Sequence, residues 1–385
     1  MTPIPSAELY RKSEAVSLHE QQVHHHLKKN DGLQILRAIA ALLVVHRHSI
    51  EVVRWNQFAQ DHGSYNIDKF GAFGVDVFFV ISGYILSTVV LRTRPDTPRP
   101  AFDFLTRRYI RILPIYWITS LAMLAIYMKQ KLIPITPGWV ARSLLLLPSL
   151  ESRLRVPLIV FGWTLVFEMF FYYVLSFNML FGKRKVVLRS IASIALLVAI
   201  GAAVGFERPI LVLVANPINV EFLLGCCIAL LYTKIGPRPT LGVVLMLTGG
   251  LLLGATVVFG FGHLDDATLT LNSDRSWYRL LLWGLPSAIL TAGFVFRPTQ
   301  LQSAFGRLWV FLGDASYSIY LTSAVTLFLA FRFFNLLLGL PPNLNIALII
   351  LFVAIGGAAT YLWVERPITQ FLTEKYLQAR ARTAA

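Results

Sequence analysis

Charged residues in the first apolar run of the chain are spaced so that they could act together in acid–base chemistry. Arg37 and His48 are eleven residues apart, almost three turns of an α-helix, so they share one helical face. Glu51, three residues beyond His48, lies on the same face and could orient the imidazole. Because histidine exchanges protons near neutral pH, His48 is the candidate base. The alternative is a structural histidine, with Glu51 as an interfacial charge.

Polar side chains also interrupt the second and fourth apolar runs. Asp76 and Ser82 lie in the second run, and Glu168 follows Trp163 in the fourth. A carboxylate among apolar residues must be protonated, paired or facing water, so Asp76 needs a partner. For Glu168 we expect a functional or charge-pairing role, with Arg37 as one candidate partner. For Ser82 the alternative to a functional role is helix packing.

Three arginines are grouped in the connection after the second run, where the segment Arg107–Trp117 is expected to form a loop. Arg107 and Arg111, with Arg108 beside them, are four residues apart and would share one helical face. Two guanidiniums in that arrangement can hold phosphate oxygens through paired hydrogen bonds. The alternative is ordinary anchoring by positive charge at the cytoplasmic surface.

The composition indicates that a membrane-embedded scaffold positions these residues. Of 385 residues, 56% are hydrophobic and 14% are charged, and the mean hydropathy is +0.63. Soluble domains are nearer a quarter charged, which disfavours a soluble enzyme. We predict an all-α polytopic membrane protein, a bundle of about ten transmembrane helices. The predicted spans are residues 33–53, 71–91, 112–128, 158–181, 186–206, 209–232, 240–262, 278–296, 308–331 and 344–364.

The basic residues predict the orientation of this bundle. The net charge is +15, and its Lys and Arg residues form short clusters between apolar runs, a pattern that favours lipid headgroups over nucleic acid. If the N-terminus is inside, the inner segments hold twice as many of them as the outer segments. This bias predicts a cytoplasmic tail over 1–32, a transmembrane domain over 33–367 and a cytoplasmic tail over 368–385. The stretch Val140–Leu150 is too short to cross; if it did cross, the downstream orientation would invert.

The sequence predicts no metal site and no nucleotide hydrolysis. Cys226 and Cys227 are adjacent, a spacing that rarely forms a disulfide, and the run His24–His26 is expected to be a solvated tail. The chain contains no P-loop, no Rossmann glycine fingerprint and no nucleophile elbow.

Six stretches, in this order, resemble the membrane-bound acyltransferase family 3, the bacterial O-acyltransferases of exopolysaccharide, lipopolysaccharide and Nod-factor sugars. They span most of the chain from Leu33 to Pro367. The stretches are residues 36–48, 73–84, 107–117, 163–168, 315–321 and 364–367.

The resemblance implies roles for individual residues. The family's essential Arg and His match Arg37 and His48, which with Glu51 and Glu168 form the expected catalytic group. Its other motifs imply a donor-binding group, which comprises Arg107, Arg108, Arg111, Ser82 and Trp163. The chain departs from the family pattern in two places. His46 and Arg47 stand where the family usually has apolar or aromatic residues, and Thr322 stands where a His is common.

The resemblance implies transfer of an acyl group from acyl-CoA, usually acetyl-CoA, to a carbohydrate hydroxyl, with no tightly bound cofactor. The expected location is the bacterial inner membrane. The helix rises roughly 16 Å from Arg37 to His48, comparable to a pantetheine arm. This distance predicts a pore that presents the thioester near the outer half of the membrane. Direct attack and a covalent acyl-His48 intermediate both remain open. The competing functions are a secondary transporter or flippase for a polysaccharide precursor, and a structural partner in a polysaccharide assembly complex.

Overall fold

The computed structural model describes residues 30–57, 71–93, 99–131, 133–148, 153–182, 185–260, 264–333 and 340–384. Within these ranges the chain is almost entirely helical and contains no β-strand. Eight helices in the described part of the chain are long and apolar enough to cross a membrane. The prediction of an all-α polytopic membrane protein is therefore confirmed. The predicted tail over residues 1–32, with its three histidines, lies almost wholly outside the described residues.

The helices are numbered here in chain order. They are α1 Asp31–Gln57, α2 Gly74–Arg92, α3 Pro100–Gln130, α4 Pro137–Leu144, α5 Gly162–Leu180, α6 Val186–Val204, α7 Pro209–Val214, α8 Asn219–Ile235, α9 Pro239–Val258, α10 Ala267–Leu271, α11 Ser276–Arg279, α12 Leu285–Phe296, α13 Ala304–Asp314, α14 Ser316–Arg332, α15 Pro342–Thr360 and α16 Arg366–Ala384. A π-helical turn at Leu280–Gly284 joins α11 to α12, and another at Tyr361–Glu365 joins α15 to α16.

Each of the ten predicted spans has a helical counterpart among the described residues. The eight membrane-length helices account for eight spans, α1 for the first and the 17-residue α14 for the ninth. The expectation of a loop at Arg107–Trp117 was wrong, because α3 is a 31-residue helix that begins at Pro100. Charged residues lower the hydropathy of its first turns, so the apolar run marked only its second half.

Two predicted spans are interrupted. The span 209–232 divides into α7 and α8 at Pro217, which has no N–H to continue a helix. Asn216 stabilises the break, since its amide donates to the Thr270 carbonyl at 2.8 Å and its Oδ1 accepts from the Ile218 N–H at 3.1 Å. The span 308–331 divides into α13 and α14 at Ala315.

The short segment between α3 and α5 does not cross the bilayer. Its helix α4 has eight residues, or roughly 12 Å of rise, against a hydrocarbon core of about 30 Å. Trp139 docks it by donating from Nε1 to the Val156 carbonyl at 3.1 Å. The predicted stretch Val140–Leu150 is therefore too short to cross over its described part, which comprises the second half of α4 and ends at residue 148.

Close helix contacts hold the second span in place. A Cβ added at Gly83 would lie 2.1 Å from the Phe222 carbonyl oxygen, and one at Gly225 would lie 2.1 Å from that of Val80. Only glycine permits this approach of α2 to α8. On its other side α2 packs against α1, which also contacts α13, α14 and α15. The site residues of α1 and α2 thus lie at the centre of the bundle.

The C-terminal segment predicted as a tail is the helix α16, and it is docked. Arg380 forms an ion pair of 3.0 Å with Asp103 near the start of α3. Tyr376 donates a hydrogen bond to the same carboxylate. These contacts place α16 beside the arginines of α3.

Candidate active site

A cavity of about 390 Å³ lies between α1, α2, α3, α5 and α14. Because successive spans run in opposite directions, the start of α1 and α14 lies level with the end of α2 and α5. Most of the polar lining residues lie at that level, namely Gln34, Arg37, Arg108, Arg111, Tyr172 and Ser316. The opposite end of the cavity is lined mainly by apolar and aromatic residues, including Val75, Phe78 and Tyr320.

Three arginines give the cavity a positive lining. Arg37, Arg108 and Arg111 contribute three guanidiniums against the single carboxylate of Glu168. Arg37 and Arg108 are half-buried and Arg111 is exposed, so the group faces the mouth of the cavity. Arg107 is half-buried and is not among the lining residues. The residues that share the cavity are therefore three apart, 108 and 111, rather than four.

Glu168 and Ser82 meet in the middle of the cavity. The Ser82 hydroxyl donates to Glu168 Oε1 at 2.9 Å, and the Tyr172 hydroxyl donates to the same oxygen at 2.6 Å. Tyr172 lies one helical turn beyond Glu168 on α5, which brings its hydroxyl back to the carboxylate. The carboxylate thus faces the polar cavity instead of lipid. Its contacts in the described residues are these hydroxyls, and no hydrogen bond to Arg37 is found there.

His48 lies beyond the far end of the cavity. Its Nδ1 is 2.6 Å from Glu51 Oε2, the contact predicted from their spacing. The ring stands edge-on against Phe161 at a centroid distance of 4.8 Å, and Phe161 in turn contacts the ring of Tyr320 at 5.3 Å. Tyr320 lines the cavity but His48 and Phe161 do not. The predicted continuous pore is thus closed at these two rings.

Trp163 is buried in the wall behind the cavity. Its ring lies 5.6 Å from the guanidinium carbon of Arg279 and packs edge-to-face on Phe167. Arg279 is the partner that Asp76 needs: it donates from Nε at 2.9 Å and from Nη2 at 2.8 Å. Both side chains are fully buried, and a second carboxylate, Glu221, is buried beside them.

Comparison with known proteins places this architecture in a family. The family model described as "Acyltransferase domain" matches residues 30–363, which include all the helices of the site. The chain belongs to this acyltransferase family. It is 33% identical over 308 residues to the "Exopolysaccharide production protein ExoZ" of Rhizobium meliloti (strain 1021), covering 77% of this chain and 89% of that protein.

A second relative of the acyltransferase matches a shorter stretch. The "Protein 2 in picA locus" of Rhizobium radiobacter is 33% identical over 93 residues, covering 24% of this chain and 42% of that protein. No solved structure matches the chain.

The acyltransferase fold also places residues near the site to which the sequence analysis assigned no role. Tyr172 and Tyr320 read as aromatic residues of apolar helices, although the four-residue spacing of Tyr172 from Glu168 was a usable hint. Arg279 lies at the start of the predicted span 278–296. Glu365, from the last family stretch, accepts from the Ser318 hydroxyl at 2.6 Å and lies within electrostatic range of Arg37.

Proposed function

We propose that this acyltransferase moves an acyl group, with acetyl as the first candidate, from acyl-CoA to a hydroxyl of an exopolysaccharide sugar. The observation that carries the proposal is the cavity with Arg37, Arg108 and Arg111 at its mouth. Guanidiniums match phosphate oxygens bidentately, and the phosphates of CoA supply such oxygens. The printed name of the Rhizobium meliloti relative supports the class of acceptor.

The dimensions of the cavity suit the arm of the donor. A volume of about 390 Å³ is at the small end of ligand pockets, so we assign it to the pantetheine arm with its acyl group. The nucleotide would stay at the mouth, beside the arginines. Ser82 and Glu168 lie along the path of the arm, where the carboxylate can accept hydrogen bonds from its amides.

His48 acts as the general base in this proposal. Glu51 holds Nδ1, so Nε2 is the ring nitrogen that takes the proton from the acceptor hydroxyl. The hydroxyl oxygen attacks the thioester carbonyl, and the resulting oxyanion collapses with loss of the CoA thiolate. The imidazolium of His48 gives its proton to the thiolate, so CoA leaves as the thiol and the base is restored. The Thr164 hydroxyl donates to the Phe161 carbonyl at 2.9 Å, so Tyr320 is the donor in its 3.2 Å contact with Thr164. The Tyr320 hydroxyl lies at that end of the cavity and can turn to donate to the oxyanion.

The aromatic pair between base and donor must separate during the reaction. Phe161 and Tyr320 lie between His48 and the cavity, so the acyl group reaches the imidazole only when these rings turn aside. In the closed state the same rings keep water from the thioester. A covalent acyl-His48 intermediate would need the same opening.

The proposed location is the bacterial inner membrane with both termini in the cytoplasm. The arginine mouth lies at the level where α1 begins, so it would face the cytoplasm, where CoA thioesters are made. His48 would lie toward the outer leaflet, where the acceptor approaches. The excess of Lys and Arg in the inner segments supports this orientation.

The direct test compares polysaccharide from cells with and without the gene by mass spectrometry. Loss of an ester-linked acyl group, restored by the wild-type gene, is the expected result. Loss of export with the acyl groups retained would instead indicate a transporter. Purified protein with isotopically labelled acetyl-CoA and deacylated polysaccharide should transfer label, which a purely structural partner would not do.

A further inference from the structure

His48 is one end of a row of four ionisable side chains. Its Nδ1 contacts Glu51 Oε2 at 2.6 Å, and the other oxygen of that carboxylate, Oε1, lies 2.9 Å from Arg47 Nη1. Arg47 continues the row, since its Nε and Nη2 reach Asp265 Oδ2 at 3.1 and 2.5 Å. Asp265 lies in the connection before α10, outside the helix that carries the other three residues.

The inner half of this row is shielded from solvent. The side chains of Arg47 and Asp265 are 15% and 10% exposed, whereas those of His48 and Glu51 are 29% and 35% exposed. A carboxylate as buried as that of Asp265 requires its ion pair, because an uncompensated buried charge is costly. The pair therefore fixes the Arg47 guanidinium, and the guanidinium fixes Glu51 from the side opposite His48.

The charges of these four groups balance when the imidazole is protonated. With a neutral ring, Glu51, Arg47 and Asp265 sum to one negative charge; with an imidazolium the four groups sum to zero. The ring also stands edge-on to Phe161, which carries no charge. Arg279 lies within electrostatic range of Asp265, but its guanidinium is paired with Asp76. The row is thus arranged to stabilise the imidazolium that forms when a base removes a proton.

We propose that Asp265 is a positioning residue of the transfer reaction, which acts on His48 through Arg47 and Glu51. This inference rests on the proposed function, in which His48 is the base. Arg47 stands where the acyltransferase family usually has an apolar or aromatic residue. This arrangement is therefore expected in this chain and in relatives that have both Arg47 and Asp265.

The test uses the full-length protein purified in lipid nanodiscs, with acetyl-CoA and deacylated polysaccharide. Asp265→Asn should lower kcat about tenfold, equivalent to about 1.4 kcal/mol of transition-state stabilisation. The KM for acetyl-CoA should stay within about twofold, because the donor binds at the other end of the cavity.

Asp266→Asn is the matched control. This neighbouring carboxylate accepts from the Thr268 and Leu269 N–H groups as the cap of α10, and asparagine caps equally well. It should leave both kcat and KM unchanged. Asp265→Glu should recover much of the lost rate. If Asp265→Asn does not fold, the double variant Arg47→Gln with Asp265→Asn removes the ion pair without leaving a buried charge unpaired, and it should show the same loss of kcat with the KM for acetyl-CoA within about twofold.

Combination with His48→Ala separates this inference from the proposed function. If Asp265 acts through His48, Asp265→Asn should lower the residual rate of His48→Ala no further. An unchanged kcat in Asp265→Asn, beside an inactive His48→Ala, would overturn the inference and leave the base intact. A fully active His48→Ala would overturn the base assignment and the inference with it.

Discussion

The ring of Phe161 stands edge-on to His48, with centroids 4.8 Å apart and an interplanar angle of 74°. Phe161 is buried, and its ring also contacts the ring of Tyr320, which lines the arginine-bearing cavity. The candidate base and the candidate donor site are therefore separated by two side chains. Such a barrier would keep water away from a thioester that can be hydrolysed.

Replacing Phe161 with a smaller side chain should admit water to the bound donor. In Phe161→Leu, we expect hydrolysis of acetyl-CoA without an acceptor to rise at least several-fold, measured as release of the CoA thiol. Phe177→Leu, which changes an exposed phenylalanine on α5, the helix that follows Phe161, is the control for the loss of an aromatic ring. Equal hydrolysis rates in wild type, Phe161→Leu and Phe177→Leu would show that the ring does not control access.

The arginines at the mouth should determine donor affinity. Replacing Arg108 or Arg111 with Gln should raise the Kd for CoA about 10- to 150-fold, since a hydrogen bond to a charged group contributes about 1.5–3 kcal/mol. Isothermal titration in nanodiscs measures this, and affinity should fall with added salt. Lys129→Gln, at the opposite end of the same helix, controls for loss of charge.

A variant of Arg107 tests whether the sequence spacing or the cavity lining identifies the arginines that bind the donor. The four-residue spacing favours Arg107 with Arg111, whereas the cavity is lined by Arg108 with Arg111. If Arg107→Gln weakens CoA binding more than Arg108→Gln does, the cavity is not the nucleotide-facing site.

The close contact of α2 with α8 should tolerate no side chain. In Gly83→Ala the added methyl would sit 2.1 Å from the Phe222 carbonyl oxygen, so the helices must separate. We expect destabilisation of about 1–3 kcal/mol or more, measured by unfolding in detergent. Gly250→Ala is the matched control, because a Cβ there meets no atom within 4 Å and alanine favours a helix by about 0.5–1 kcal/mol. Equal stability of the two variants would contradict this packing.

Hydropathy located the ten helical regions of the chain but not their ends or the breaks within them. Ten apolar runs correspond to ten helical regions because lipid permits little else. The start of α3 was missed because Arg107, Arg108 and Arg111 mask a helix that extends beyond the apolar run. The division of the ninth span at Ala315 depends on tertiary packing, since a Cβ at Gly313 would meet the Gln34 carbonyl at 2.1 Å.

The candidate site was predictable where its residues lie on one helix. The contact of His48 with Glu51 follows from a three-residue spacing, and the structure shows it at 2.6 Å. Contacts between helices had no such signal: Ser82 with Glu168, or Asp265 with Arg47, depend on how the bundle packs. The alignment of Arg37 with His48 on one face also gave no sign that aromatic rings lie between the cavity and the base.

The central claim is that His48 performs the chemistry on a donor held by the arginines. The most direct measurement is the transfer rate of purified His48→Ala, made beside its Kd for acetyl-CoA in the same nanodiscs. We predict a rate lower by about 10²- to 10⁴-fold, the usual contribution of a general base, with the Kd within about twofold of wild type. A variant that binds the donor normally and keeps its transfer rate within about threefold of wild type would contradict the account.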